Sequence, residues 1–312
     1  MSPHAIIIDT DPGQDDAVAI MLALASPELN VLAVTAVAGN VPLHRTETNA
    51  RMVVEASGRA EVPVYAGAVR PMLRELVTAE YVHGPTGIDG ANLPEPTIEL
   101  AEGHAVQAII RHVQESPDPV TICPLGPLTN VALALLLDPS IAENIDQIVL
   151  MGGGYFEGGN VTPAAEFNIY VDPHAAHVVF TSGIDIVMLP LDVTHKALVT
   201  NTETKRFADI GNRCGAAVAG MIGFYARYDI EKLGSKGAPI HDPNVIAYLL
   251  KPELYAGRHC HVEIATDEGP SLGATLVDWW SVTGNEPNAL VLHEVDSVGF
   301  FELLIDGISR LP

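Results

Sequence analysis

An apolar β-branched run, Ile6-Ile7-Ile8, breaks into acid at Asp9-Thr10-Asp11 and turns at Pro12-Gly13. After that turn an apolar run of helical type begins, unbroken from Ala17 to Ala25. Residue preference reads this as a buried strand, a tight turn and a helix. Asp9, Asp11, Asp15 and Asp16 thus fall within eight residues at the strand's carboxyl end, where open α/β sheets bind ligands. Strand alternation puts Asp9 and Asp11 on one face. Asp15 and Asp16 enter the first helical turn, where the dipole favours negative charge. A lone Asp at a strand end is ordinarily a turn former or a cap. Four together, with no Lys or Arg nearby in sequence, would have to hold protons unless a cation sat among them. An all-oxygen donor set points to a hard ion, Ca²⁺ or Mg²⁺, rather than zinc.

The pattern of strand followed by helix continues. Val31 to Val37 is expected as a second buried strand running on to Asn40, followed by a helix from about Leu43 to Ser57 and a short strand from Pro63 to Ala66. Ala68 to Glu99 has no regular period; a connection this long is more often a functional loop than a linker. Further on, helices are expected over Gly103 to Gln114, Leu128 to Leu137 and Asp172 to Ser182, with strands over Val120 to Cys123, Gln147 to Met151 and Asp185 to Leu189. Glu203 to Ile210, Ala216 to Lys232, Pro243 to Leu250 and Ser297 to Ser309 read as helices. Val262 to Ile264, Ala274 to Asp278 and Ala289 to Val295 read as antiparallel additions. The expected fold is one α/β domain over 1–312, a doubly wound, mostly parallel Rossmann-like sheet with added helices and C-terminal antiparallel strands.

Composition narrows the function classes. With 39 acidic against 16 basic residues the net charge is −23, which disfavours nucleic-acid or anionic-membrane partners in the absence of a basic patch. The longest apolar stretch, Ala17 to Ala25, is too short to span a bilayer. The N-terminus runs into a strand without a basic leader or cleavage site, so a cytoplasmic location is expected. Cys123, Cys214 and Cys260 are isolated and suit neither a disulfide framework nor a zinc site.

Three further stretches carry polar chemistry. Asn160, Glu166 and Asn168 lie in one segment after the glycine run Gly152-Gly153-Gly154; two amides and a carboxylate can share hydrogen bonds with the cis hydroxyls of a sugar. In Pro239-Ile240-His241-Asp242-Pro243-Asn244, Asp242 before Pro243 makes a good helix cap, yet the same carboxylate could ligate a cation, and His241 has the range of a proton donor. His83, in a glycine-rich loop, could act similarly. Tyr225 and Tyr228 could stack on an aromatic ring, although core packing commonly explains such a pair.

The stretch Asp9-Thr10-Asp11-Pro12-Gly13-Gln14-Asp15-Asp16-Ala17-Val18-Ala19 resembles the signature of the nucleoside hydrolases, the inosine–uridine-preferring ribonucleoside N-glycosidases. Pro124 to Asn130, Asn160 to Asn168 and His241-Asp242-Pro243 match the family in its order. The loop around His83-Gly84 and the run Thr162 to Pro173 look most like the pyrimidine-preferring members. The resemblance covers essentially the whole chain and implies its fold. It further implies one Ca²⁺ held by Asp11, Asp16, Asp242 and the backbone carbonyl of Leu125, with Asp11 as the general base toward water. It assigns Asp15, Asn40, Asn160, Glu166 and Asn168 to the ribose hydroxyls and Asp9 to orienting the ligands. His241 becomes the candidate donor to the departing base, with His83, Phe167, Tyr225 and Tyr228 as pocket walls. Thr10 stands where many relatives carry Cys, and its hydroxyl is expected not to disturb the ion; Gln14 carries no expectation. A small-molecule ribonucleoside is the implied partner, in nucleoside salvage, and a homodimer or homotetramer the implied assembly.

Two rival readings remain. Asp9-Thr10-Asp11 is similar to the start of haloacid-dehalogenase-type phosphatases, but Gly13 stands where Thr or Val is usual, and an acidic surrounding repels phosphate. A non-catalytic Ca²⁺-dependent ribonucleoside-binding protein would keep the pocket and lose turnover.

Overall fold

The computed structural model describes residues 3–227 and 237–312 in full and the backbone of 228–233 as helix. Its centre is an eight-stranded sheet of β1 (His4–Thr10), β2 (Leu29–Ala36), β3 (Val64–Ala66), β4 (Val120–Pro124), β5 (Ile145–Met151), β6 (Ile186–Leu189), β7 (Tyr255–Cys260) and β8 (Ala289–Val295). The spatial order is β3-β2-β1-β4-β5-β6-β8-β7. All neighbours run parallel except the edge pair β8 and β7.

The reason lies in the strand sequences. Ile6 and Ile8 enter the core on one face of the sheet and Ile7 the core on the other, so β1 needs helices on both sides, the condition of a parallel sheet. The helix that follows, α1 (Gln14–Ala25), is buried from Gln14 to Leu24. A helix apolar around its whole circumference cannot face water. It is enclosed by the sheet and by helices over Arg213–Leu233, Pro243–Leu250 and Ser297–Ser309.

The strand order reverses between β1 and β4, which both pair with the sheet's interior and leave in opposite directions. That reversal opens a crevice at their carboxyl ends. Asp9 to Asp16 stands at one lip and Leu125-Gly126 at the other.

The expected parallel sheet and the antiparallel pair Val262–Ile264 with Thr275–Val277 are both present. Ala289–Val295 is antiparallel to β7, and on its other edge it extends the main sheet parallel to β6. β7 itself, Tyr-Ala-Gly-Arg-His-Cys, was not expected. Four of its six residues are exposed, and an edge strand this polar leaves no alternation to read. Within the irregular 68–99 region a single helical turn, Glu80–His83, carries His83 inward. No helix among the described residues is long and apolar enough to cross a membrane.

Candidate active site

Five carboxylates meet at the crevice, and each is held differently. Asp9, the last but one residue of β1, is fully buried. Its Oδ1 accepts from the Thr35 hydroxyl at 2.6 Å and from Asn130 Nδ2 at 2.8 Å. Burial pushes its acid up to about 7. Asn130 also donates to the Ala36 carbonyl and accepts from the Ala68 amide, so it ties β1, β2 and the chain after β3 together. Packed in this way, Asp9 cannot reach a substrate as the nucleophile that the phosphatase reading requires.

Asp11 leaves the strand and turns toward the crevice. Oδ2 accepts the Asn40 amide at 2.6 Å, while the buried Oδ1 has no hydrogen-bond partner. Glycine makes the room: a Cβ on Gly39 or Gly126 would stand 2.0 or 2.2 Å from the Asp11 carboxylate oxygens. Burial, and then the neighbouring Asp16, hold the Asp11 acid well above its ordinary range.

Asp16, in the first turn of α1, receives Thr10 Oγ1 at 2.6 Å on one oxygen, and the Gly13 amide at 2.9 Å and Asn40 Nδ2 at 3.3 Å on the other. Asp15 accepts the His241 amide at 3.2 Å. Its acid is pushed up to about 7, by burial first and Asp16 second. Asp242 stands before the helix Pro243–Leu250, but its side chain makes no cap bond. It faces the other acids, and burial followed by Asp15 and Asp16 raises it strongly.

Ligand oxygens of Asp15, Asp16 and Asp242 lie within 4.8 Å of one another. No described Lys or Arg forms an ion pair with them. Converging buried carboxylates without a counter-charge, beside the unpartnered Asp11 oxygen, fit a hard divalent cation. Of the residues expected to ligate the ion, Asp16 and Asp242 belong to this convergence, and Asp15, expected on the ribose, joins them.

Above the acids lies a cavity of about 330 Å³. Asp15, Asn40, Asn160, Glu166 and Asn168, the residues assigned to ribose, all line it, together with His83, Phe167, Tyr225, His241 and Asp242. Local structure explains their positions. Glu166 caps the short helix Phe167–Val171, accepting from the amides of Asn168 and Ile169, and from Gly153 at 2.9 Å; burial nevertheless pushes its acid up to about 7. Asn168 Nδ2 donates to the carbonyls of Leu125 at 2.7 Å and Met151 at 3.2 Å. Asn160 Oδ1 accepts the Phe167 amide. The loop that carries Asn160 is pinned by Asp192, which accepts from the amides of Tyr155, Phe156 and Glu157.

His241 Nδ1 lies 2.7 Å from the Thr194 hydroxyl, and its ring centroid 5.8 Å from that of His195. Burial, then His195 and His83, push its pKa down to about 3, so the ring is a neutral imidazole at physiological pH. His83 Nδ1 lies 2.7 Å from Gln14 Oε1, and its ring packs against Tyr225 at 5.6 Å. The side chain of Tyr228 lies outside the described residues.

Sequence reasoning missed Thr10, Gln14, Asp192 and His195, and gave Asn130 no role of its own. His195 and Asp192 follow the carboxyl end of β6, which was the available signal. Gln14 offered none, because its partners come from elsewhere in the chain; Thr10 bonds Asp16 within the same turn, a pairing that residue preference does not specify.

The family model described as inosine-uridine preferring nucleoside hydrolase matches residues 6–302, and the chain belongs to that family. It is an enzyme of the ribonucleoside N-glycosidase class. Among its relatives, the Escherichia coli O8 protein named pyrimidine-specific ribonucleoside hydrolase RihA is 49% identical over 305 residues, covering 97% of this chain and 98% of that protein. The purine-preferring ribonucleoside hydrolase from Gardnerella vaginalis superposes with a TM-score of 0.91 at 32% identity, over 98% of each chain. The plant nucleoside hydrolase PpNRh1 does so with a TM-score of 0.91 at 34% identity, over 98% of this chain and 99% of that one.

Proposed function

We propose that this enzyme hydrolyses pyrimidine ribonucleosides foremost, using water activated at a Ca²⁺ site, and that it serves nucleoside salvage. The observation that carries the reading is the unpartnered Asp11 oxygen on a floor of converging carboxylates under a cavity with sugar-binding groups on its walls. The base preference rests on the likeness to the pyrimidine-specific relative.

Asp11, Asp16, Asp242 and the Leu125 carbonyl would hold the ion, with Asp9 fixing β1 behind them. A carbonyl oxygen has two lone pairs, so Leu125 can face the ion while accepting from Asn168. A bound divalent cation would acidify a water and engage the ribose diol. Asp11 would serve as the base toward that water, its glycine cradle leaving Oδ1 without another partner. Asp15, Asn40, Asn160, Glu166 and Asn168 grip the ribose hydroxyls. Cleavage passes through an oxocarbenium-like ribosyl, and these preorganised oxygens stabilise the developing positive charge. Water attacks opposite the departing base, so ribose leaves with inversion. A neutral His241 that accepts the Thr194 hydroxyl at Nδ1 carries its proton on Nε2 and can donate it toward the base as negative charge builds there. Phe167 and Tyr225 wall the base.

The test is ribose release from uridine, cytidine, inosine, adenosine, guanosine and 2′-deoxyuridine, with Ca²⁺ and with EDTA. The expected result is Ca²⁺-dependent cleavage led by uridine and cytidine, with the deoxy compound nearly inert and Asp11→Asn inactive. No release from any riboside by folded, Ca²⁺-loaded protein would favour the binding-protein reading instead.

A further inference from the structure

Gln14 lies in the signature turn, fully buried, and its side chain reaches across to the loop that carries His83. Gln14 Nε2 donates to the His83 carbonyl at 2.9 Å and to the Asp89 carbonyl at 3.3 Å. Carbonyls only accept, so the amide cannot be flipped: its NH₂ must face them, and Oε1 must face His83 Nδ1 at 2.7 Å. An amide oxygen also only accepts, so the proton of a neutral His83 sits on Nδ1. That leaves Nε2 as a lone pair on a ring that lines the cavity, with Nδ1 and Cε1 turned to Gly13.

The surroundings hold this arrangement firmly. A Cβ at Gly13 would stand 2.5 Å from His83 Nδ1, so only glycine lets the ring sit against the turn. Tyr225 also packs against the ring, with centroids 5.6 Å apart. Asn49 Nδ2 bridges the Pro12 carbonyl and the Thr86 carbonyl at 3.0 and 2.7 Å, binding the same loop to the same turn a second time.

We infer that Gln14 is a positioning residue that sets the tautomer of His83, and that His83 Nε2 consequently reads the substrate base as a hydrogen-bond acceptor, selecting bases that present an N–H donor. This rests on the ribonucleoside reading above. The two histidines then divide the work: His241 offers a proton and His83 requests one, so uridine, with its N3–H, satisfies both.

Two measurements test it. In the ¹⁵N-histidine NMR spectrum of the wild-type protein, assigned by difference against His83→Gln, His83 is expected to show a protonated Nδ1 and an unprotonated Nε2. In kcat/KM, 3-methyluridine is expected to fall about 10-fold or more below uridine, the loss of one hydrogen bond with its acceptor left unpaired; 5-methyluridine controls for the added bulk. Gln14→Met, which removes the acceptor opposite Nδ1, is expected to shrink that penalty. A proton found on Nε2, or a penalty unchanged in Gln14→Met, overturns the inference. The spectrum needs no turnover and the uridine rate needs no tautomer, so failure of this proposal and failure of the ribonucleoside reading are distinguishable.

Discussion

The Thr10 hydroxyl points at Asp16 Oδ1 from 2.6 Å, orienting a carboxylate assigned to the cation. Removing such a supporting bond ordinarily costs about 10–100-fold in metal affinity. Thr10→Val, near in shape, is therefore expected to weaken Ca²⁺ binding about 10-fold by calorimetric titration; an unchanged affinity would show the hydroxyl to be passive. Asn130 works further from the substrate. Truncation to Ala would strip a buried bond from Asp9, from the Ala36 carbonyl and from the Ala68 amide at once. With each orphaned group costing about 1–3 kcal/mol, Asn130→Ala is expected to lower unfolding free energy by about 3 kcal/mol or more in urea melts. A loss under about 1 kcal/mol would mean that water replaces the amide.

At the level of elements, the site is a set of chain turns that approach one another too closely for side chains. The turn after β4 meets the turn after β1 at Gly126, and the turn after β2 meets it at Gly39. Adding one methyl at Gly126 forces the Asp11 carboxylate to move by about an ångström, and displacements of that size cost about 10²-fold in rate. Gly126→Ala is thus expected to lose about two orders of magnitude in kcat/KM while circular dichroism stays unchanged. Near wild-type activity would refute the cradle. The same logic explains the long 68–99 connection. It has little regular structure of its own, yet Gln14 and Asn49 fasten it to the signature turn, so the cavity wall that carries His83 is tied to the carboxylate floor.

For the molecule as a whole, the collected acids set a dependence of stability on pH. Asp9, Asp15 and Glu166 titrate near 7 in the cation-free fold, and Asp11 and Asp242 are raised well above their ordinary value. Unfolded, such groups ionise near 3.8 for Asp and 4.5 for Glu. Between those values and 7 the folded chain binds protons that the unfolded chain has released, so folding stability declines as pH rises through that window. Melting in EDTA is accordingly expected at a higher temperature at pH 5.5 than at pH 8. Added Ca²⁺ should raise the melting temperature more at pH 8, where it need not displace protons. Equal Ca²⁺ shifts at the two pH values would argue against these carboxylates as the binding site.

By itself the sequence determined the α/β sheet, the crevice at its carboxyl ends and the acids, amides and histidines around the cavity. Each is written locally, in the unbroken apolar strands, in Pro-Gly and Gly runs after them, and in polar residues placed at strand ends. The edge strand Tyr255–Cys260 was not legible, because an exposed edge has no buried face to impose a period. Nor were the duties of Thr10, Gln14, Asn130 and His195. Only the tertiary structure decided these, since all but Thr10 depend on a partner distant in sequence: Gln14 on His83, Asn130 on Asp9, His195 on His241. Hydrogen-bond geometry and tautomer are properties of pairs, and a pair exists only once the sheet has brought its turns together.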